Sequence, residues 1–307
     1  MHIAMRIRIV VLILFACLSW SLGSWGNGAG DAAHFMRDGF GARGRAMGSA
    51  QIASAGDYAA ALWNPAPMTQ TVSSTVGASL ESRLGGLFTF SALGGAIATE
   101  TVSYGAVAVT SDLYTFIHGA IGLGWRNVSG GVGARYYRFG VPGDYGVGLG
   151  LDAGGRFCLS LGQTALTVAA VSRDIGWTSI RWTSLEDVTV DRVSWVNRLG
   201  VAAYTPFVWG HWLAEIDLEL SSRRPPSQDD ADFWEGQGET NLSLGAEFRW
   251  AGISLRVGLQ RYPLDEPDPR FRATLGLGIA LDGFAFDLAL IPSHLGDTYV
   301  AGFQVDL

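Results

Sequence analysis

The last third of the chain alternates apolar side chains with small or charged ones. From Leu242 to Trp250 every even-numbered residue is apolar, and the residues between them are serine, glycine, glutamate or arginine. The alternation resumes after very short turns at 251–252 and 282–283 and continues to Leu307. Runs of about ten residues with this pattern are typical of strands that separate lipid from a polar lumen. The sequence therefore predicts transmembrane β-strands.

An antiparallel sandwich in water also alternates apolar and polar positions. Three features favour a membrane barrel: tight turns on one side only, a polar face rich in glycine, and aromatic residues near strand ends. These aromatic residues are Trp125, Trp212, Trp250 and Tyr299. We therefore predict an all-β transmembrane antiparallel β-barrel.

The alternation gives about fourteen strands. Their predicted starts lie near residues 75, 86, 101, 115, 129, 145, 163, 192, 210, 241, 252, 271, 283 and 297. Long polar connections follow strands seven, nine and eleven, at 172–191, 221–240 and 261–270, whereas the connections after strands four, ten and twelve are two or three residues long. Short turns are periplasmic in bacterial outer-membrane barrels. We expect a protein of the cell outer membrane with both termini in the periplasm.

The N-terminus has the layout of a secretory signal over residues 1–30. Arg6 and Arg8 precede an apolar run, and cleavage after Gly23 or near Gly30 fits equally well. Cys17 then lies within the signal, so the mature chain keeps Cys158 alone and no internal disulfide is expected.

Residues 31–70 differ from the barrel at 71–307 because they are rich in glycine and alanine and lack period-two alternation. Pro65 and Pro67 interrupt any helix there, since proline lacks a backbone donor. This segment is predicted to fold into the barrel as a hatch. A loose periplasmic arm is the alternative.

Charge narrows the possible partners. The formal net charge of -7 argues against a nucleic-acid partner, which would require a basic surface. Charged residues of both signs lie at the strand positions that alternate with the apolar ones, so they face the lumen. We expect them to pair across the interior. A constriction that selects polar solutes is the alternative. The set is Arg126, Arg135, Asp152, Arg198, Glu215, Asp217, Glu219, Glu247, Arg249, Arg256, Asp287 and Asp306.

Catalytic chemistry is not expected. His34, His118, His211 and His294 have no cysteine or carboxylate at metal-ligand spacing, and no Gly-x-Ser-x-Gly turn occurs. His211 lies near Glu215 in sequence, but a histidine beside Trp212 at a strand end is more often interfacial. We therefore predict no enzyme activity, no cofactor and no metal.

Both ends of the mature chain resemble a known family. Gly41-Ala42-Arg43, Met47-Gly48 and the run from Ala55 to Ala66, which ends in Ala-Leu-Trp-Asn-Pro-Ala, resemble the opening of PorV/PorQ outer-membrane proteins. The segments 286–292 and 295–298 resemble that family's final hairpin. The resemblance implies an architecture related to FadL-type channels and a hatch motif of Asp57, Trp63, Asn64, Pro65 and Ala66.

The same resemblance implies insertion by the barrel-assembly machinery, with outer-membrane lipid as the surroundings. Gly302, Val305 and Leu307 keep the spacing of an assembly signal, although Leu307 stands where an aromatic residue is common.

Two functions follow from the resemblance. A PorV-like member is a type IX secretion accessory or surface-protein shuttle whose partners are exported cargo proteins. A FadL-like member is a passive transporter of hydrophobic small molecules. The second function needs an apolar cleft among the outer loops, and its best candidates are Trp177, Trp182, Phe233 and Trp234. Aromatic residues that only pack their own loop are an equally good interpretation.

Overall fold

Fourteen of the sixteen strands in the described residues close into one antiparallel barrel. The computed structural model describes residues 32–70, 74–99, 101–141, 143–183, 190–223, 237–262 and 270–307. The strands are β1 (Thr75–Arg83), β2 (Phe88–Ala98), β3 (Val102–Thr110), β4 (Tyr114–Trp125), β5 (Val128–Val141), β6 (Asp144–Leu161), β7 (Thr164–Arg173), β8 (Thr178–Trp182), β9 (Val190–Val193), β10 (Trp195–Phe207), β11 (Gly210–Arg223), β12 (Gln237–Trp250), β13 (Ile253–Tyr262), β14 (Arg270–Leu281), β15 (Phe284–Ile291) and β16 (Thr298–Asp306).

Strands β1–β7 and β10–β16 form the barrel. Each pairs with the barrel strand before it and the one after it in sequence, so β7 pairs with β10, and β1 pairs with β16 to close the ring. The predicted fold class is confirmed. Every predicted strand corresponds to one of these fourteen, with starts that differ by at most four residues. The prediction succeeded because a one-residue slip would turn every apolar side chain to the wrong face.

The two ends of the barrel differ. Two-residue turns at 126–127, 162–163, 208–209, 251–252 and 282–283 form what we call the short-turn end. The opposite end, which we call the long-loop end, carries the connections predicted to be long. Phe233 and Trp234, two of the predicted loop aromatics, lie outside the described residues.

The predicted loop at 172–191 is partly wrong, because much of it continues the barrel wall. After β7 the chain resumes as β8, which pairs with β6, and β9 pairs with β8 before leading into β10. Residues 174–177, which we call the wall break, interrupt the extended conformation: φ is positive at Asp174, Gly176 and Trp177. Polar residues and a missing alternation made this stretch resemble a loop.

The outer surface is an apolar belt. Side chains of the outward parity are exposed on every side of the barrel, and among them Leu149 is 76% exposed. Such a surface is stable against lipid. The apolar residues of each strand therefore face outward, and the residues between them face the lumen. Further members of the belt are Leu80, Leu93, Ile97, Ile121, Val132, Leu255, Leu277 and Leu288.

The predicted hatch, described from residue 32 to residue 70, lies inside the lumen. Its helices are short: α1 (Ala42–Ala46), α2 (Ala60–Trp63) and single 3-10 turns at His34–Met36 and Pro67–Gln70, while a further 3-10 turn follows β1 at Leu84–Gly86. None of the helices in the described ranges is long and apolar enough to cross a membrane. Gly48, with φ of 64°, follows α1 where the chain passes so close to β12 and β13 that a side chain would meet their backbones.

The hatch runs along the barrel axis. The Ala32 amide donates to the Arg192 carbonyl at 3.1 Å, so the first described residue lies at the long-loop end. At the other end of the chain, the Leu307 amide donates to the Ser74 carbonyl at 2.8 Å, beside the start of β1. The predicted periplasmic N-terminus and the signal segment lie outside the described residues.

Candidate functional site

Aromatic side chains line the lumen near the long-loop end. Phe35 of the hatch lies 5.3 Å from Phe90 and 4.6 Å from Tyr114, measured between ring centroids. Phe40 of the hatch lies 5.5 Å from Phe90. Hatch and wall therefore meet here through apolar rings. We call this group the aromatic cluster, and it consists of Phe35, Phe40, Phe90, Tyr114, Phe116, Tyr137 and Phe139.

Three arginines of the hatch bind carboxylates of the wall. Arg37 contacts Glu219 at 2.6 Å, and Arg43 contacts Glu247 at 3.1 Å. Arg45 contacts Glu81 at 3.0 Å. All six side chains are almost completely buried. A buried ion pair is stable only in good geometry, so these contacts fix the position of the hatch.

Arginines of the wall bind the hatch backbone in return. Arg83 donates to the carbonyls of Phe35 and Gly39 at 2.8 and 3.1 Å, and Arg173 donates to the Trp63 carbonyl at 2.6 Å. These carbonyls would otherwise be buried without a donor, because the hatch contains little regular secondary structure. Charged donors thus replace the hydrogen bonds that a longer helix would supply.

The structure brings most of the predicted lumen charges together. Arg135 contacts Asp152 at 2.5 Å, and Arg198 forms an ion pair with Glu219. The remaining pairs share two carboxylates: Glu247 is contacted by Arg249 at 2.7 Å and by Arg256 at 2.5 Å, and Asp287 is contacted by Arg256 at 2.5 Å.

Four of the predicted lumen charges have other surroundings. Asp306 is exposed at the end of β16 and accepts the Gln304 side-chain amide at 3.0 Å. Glu215 and Asp217 accept hydrogen bonds from hatch amides. Arg126 lies in the turn after β4, exposed beside Trp125, so its predicted lumen position is wrong: the strand ends one residue earlier.

A buried polar group holds the wall break. The Asp174 carboxylate accepts the Tyr137 hydroxyl at 2.7 Å and the Thr178 hydroxyl at 2.8 Å, while its amide donates to Asp152 at 3.0 Å. Burial raises the pKa of Asp174 to about 6, against the opposing charge of Arg135. The wall break therefore contains a carboxyl group that titrates near neutral pH.

The hatch motif forms a hydrogen-bonded turn. Asn64 accepts the Ala66 amide at 3.0 Å, and its side-chain amide donates to the carbonyls of Ile52 and Ala170 at 3.2 and 3.4 Å. An asparagine that bonds two residues ahead is the expected way to hold a turn at proline.

The other members of the hatch motif are equally fixed. The Trp63 indole donates to the Phe40 carbonyl at 3.1 Å. Asp57 accepts the Ala59 amide and the Gln51 side chain, each at 3.0 Å. Pro65 packs against Gly131 of β5, and Ala66 is fully buried.

Two of the predicted loop aromatics, Trp177 in the wall break and Trp182 on β8, pack against the barrel wall. The Trp177 indole donates to the Ser222 carbonyl at 2.8 Å, and its ring lies edge-on to Trp195 at 5.5 Å. The Trp182 indole donates to Asp191 at 2.8 Å. Trp182 also packs against the buried apolar residues around the aromatic cluster. These side chains shape the wall rather than an open cleft in the loops.

A cavity of about 930 Å³ lies between the hatch and the short-turn end. Its wall combines charges of both signs with aromatic side chains at the rim, including Arg156, Arg249, Asp287, Trp209 and Trp250. The described part of the chain contains no group of three His, Cys, Asp or Glu residues arranged to hold a metal ion.

Several functional residues escaped the sequence analysis. Arg37 and Arg45 lie in a segment without periodicity, so no pattern indicates where they point. Glu81 and Arg83 could have been found, because the parity of β1 turns both toward the lumen. His118, completely buried 3.3 Å from Asp152, could likewise have been placed by the parity of β4.

The architecture defines a class: a closed fourteen-strand antiparallel β-barrel whose N-terminal segment lies inside the lumen. No family model matches the sequence, and no curated protein matches it. Among solved structures, the toluene transporter TodX of Pseudomonas putida is 14% identical, with a TM-score of 0.51 over 87% of this chain and 96% of that chain. A TodX deltaS2S3 mutant, described as a monoaromatic hydrocarbon channel, is 14% identical, with a TM-score of 0.52 over 87% and 97% of the two chains. These likenesses show a FadL-type fold.

Proposed function

We propose that this protein is a passive outer-membrane channel for hydrophobic small molecules. The observation that carries the proposal is the aromatic cluster, which joins hatch and wall beneath the long-loop end. Phe35 and Phe40 come from the hatch, so any movement of the hatch there opens an apolar surface inside an otherwise charged lumen. A polar solute gains nothing from that surface, whereas an apolar solute gains about 25 cal/mol per Å² buried.

The comparisons support this function better than the secretion role. TodX is a transporter of toluene, and its fold is similar to that of this chain. The role as a type IX secretion accessory rests on the resemblance of the two ends of the chain, at 41–66 and 286–298, to PorV/PorQ proteins. We also propose that the short-turn end and Leu307 face the periplasm, because short turns are periplasmic in known barrels.

Uptake in a Gram-negative host tests the function. Cells that express the full chain should take up labelled toluene faster than cells without it. Phe116→Asp should abolish this increase in uptake, because an apolar solute in the aromatic cluster would have to displace water from the charged side chain. Phe286→Ala, which trims an exposed ring of the outer belt, is the control and should leave uptake unchanged.

Two results would contradict the channel. Uptake that does not depend on expression of the chain would remove the proposal, as would equal effects of both substitutions at equal protein levels in the membrane. Normal uptake together with loss of surface-exposed cargo on deletion in the source organism would favour the secretion role instead.

A further inference from the structure

Two carboxylates of the wall accept hydrogen bonds from the hatch backbone. Glu215 and Asp217 lie two residues apart on β11, so both side chains point into the lumen. Asp217 accepts the amides of Gln51 and Ile52 at 2.9 and 3.2 Å, and Glu215 accepts the amide of Ala53 at 2.6 Å. Three successive hatch amides therefore depend on one pair of acids.

The other oxygen of each acid has no ordinary partner. Glu215 Oε2 and Asp217 Oδ1 are buried without a hydrogen-bond donor among the described residues. The two side chains nevertheless lie within hydrogen-bonding reach of each other. Two buried carboxylates this close do not both ionise, because like charges repel strongly away from water. A single proton between them would satisfy both oxygens.

The surrounding charges do not replace that proton. Arg43 of α1 and Arg198 of β10 face the pair, and Arg156 of β6 faces Glu215. Arg43 is bonded to Glu247, and Arg198 is bonded to Glu219. The hydroxyl of Ser54 also lies beside Glu215, but it makes no hydrogen bond to either acid. Arg43 and Arg198 thus lower the energy of one negative charge on the pair while they bind other carboxylates directly.

We propose that Glu215 and Asp217 share one proton and act together as a pH-sensitive latch on the hatch. Loss of the proton places two negative charges side by side, and their repulsion moves the carboxylates away from the amides at 51–53. A second proton neutralises both acids and weakens the same hydrogen bonds, because neutral acceptors bind less strongly than charged ones. The latch is strongest with a single proton, and this behaviour is independent of the solute that passes.

Infrared spectroscopy of the full chain in detergent micelles detects the shared proton. In an Asp174→Asn background, which removes the buried carboxyl group that titrates near pH 6, the carbonyl stretch of a protonated carboxyl group should be present at pH 7. It should be lost when either Glu215→Gln or Asp217→Asn is added. Asp287→Asn, which changes a carboxylate paired with Arg256, is the control and should leave the band unchanged. A band that survives both pair substitutions, or no difference between this background and the two variants, overturns the proposal.

Hydrogen exchange at residues 51–53 tests the latch. With intrinsic exchange corrected for pH, protection in the wild type should fall about tenfold per pH unit once the proton is lost, as expected for release of one proton. In Glu215→Gln the side-chain amide supplies a permanent donor to Asp217, so protection should stay high and independent of pH. Equal pH profiles in the wild type and this variant overturn the latch even if the shared proton is found.

Discussion

At the scale of single residues, Asn64 joins the hatch turn to the wall. Its side chain is fully buried and makes three hydrogen bonds, one of them to Ala170 of β7. Asn64→Leu keeps the volume but leaves the two carbonyls and the Ala66 amide without partners. Each unsatisfied group costs about 1–3 kcal/mol, so we expect a loosened hatch and a raised solute conductance in reconstituted bilayers.

Asn127 offers a matched control for that substitution. It lies exposed in the two-residue turn after β4. Asn127→Leu should leave both conductance and stability close to those of the wild type. Equal conductance in Asn64→Leu and the wild type would contradict a role of Asn64 in holding the hatch.

At the scale of elements, the wall break is governed by Asp174. Its pKa of about 6 lies above the ordinary value of 3.8, because burial disfavours the charged form more than Arg135 favours it. The folded state therefore holds this proton more tightly than the unfolded state. The resulting stability is complete below about pH 4 and is lost as the pH rises through 6.

Asp174→Asn, which mimics the neutral form, isolates this effect. Its stability relative to the wild type should increase between pH 4 and pH 8, measured by urea unfolding in micelles. Asp112→Asn, in an exposed loop, should show the pH profile of the wild type. Parallel profiles for Asp174→Asn and the wild type would contradict titration of Asp174 in this range.

The elements also show what the sequence could predict. Strand positions were predictable because lipid and lumen impose opposite polarity on alternate residues. The wall break was not, because Asp174 and Gly176 belong to a segment whose contacts with β6 are set by tertiary pairing. Parity likewise identified Glu219 and Glu247 as facing the lumen, but their partners lie in the aperiodic hatch, where only the folded chain shows which arginine reaches them.

At the scale of the whole molecule, ion pairs and aromatic packing hold different parts of the hatch. The aromatic cluster holds its outer part through dispersed apolar contacts, which tolerate small shifts. The ion pairs of Arg37, Arg43 and Arg45 hold specific positions, because a buried pair is stable only in good geometry. The described residues of the hatch contribute no strand to the barrel wall, so a shift of the hatch leaves the strand pairing of the barrel intact.

Arg45→Met tests this division. The substitution leaves the buried Glu81 with Arg83 as its remaining ion-pair partner, since both arginines contact the same carboxylate oxygen. The substitution also removes the contact of Arg45 with Asp38 at 3.3 Å. Each lost hydrogen bond to a charged group costs about 1.5–3 kcal/mol, so proteolysis within the hatch should accelerate while the strands stay protected. Arg249→Met, at a half-exposed arginine, should cost less than about 1 kcal/mol. Equal proteolysis in Arg45→Met and Arg249→Met would show that apolar packing alone holds the hatch.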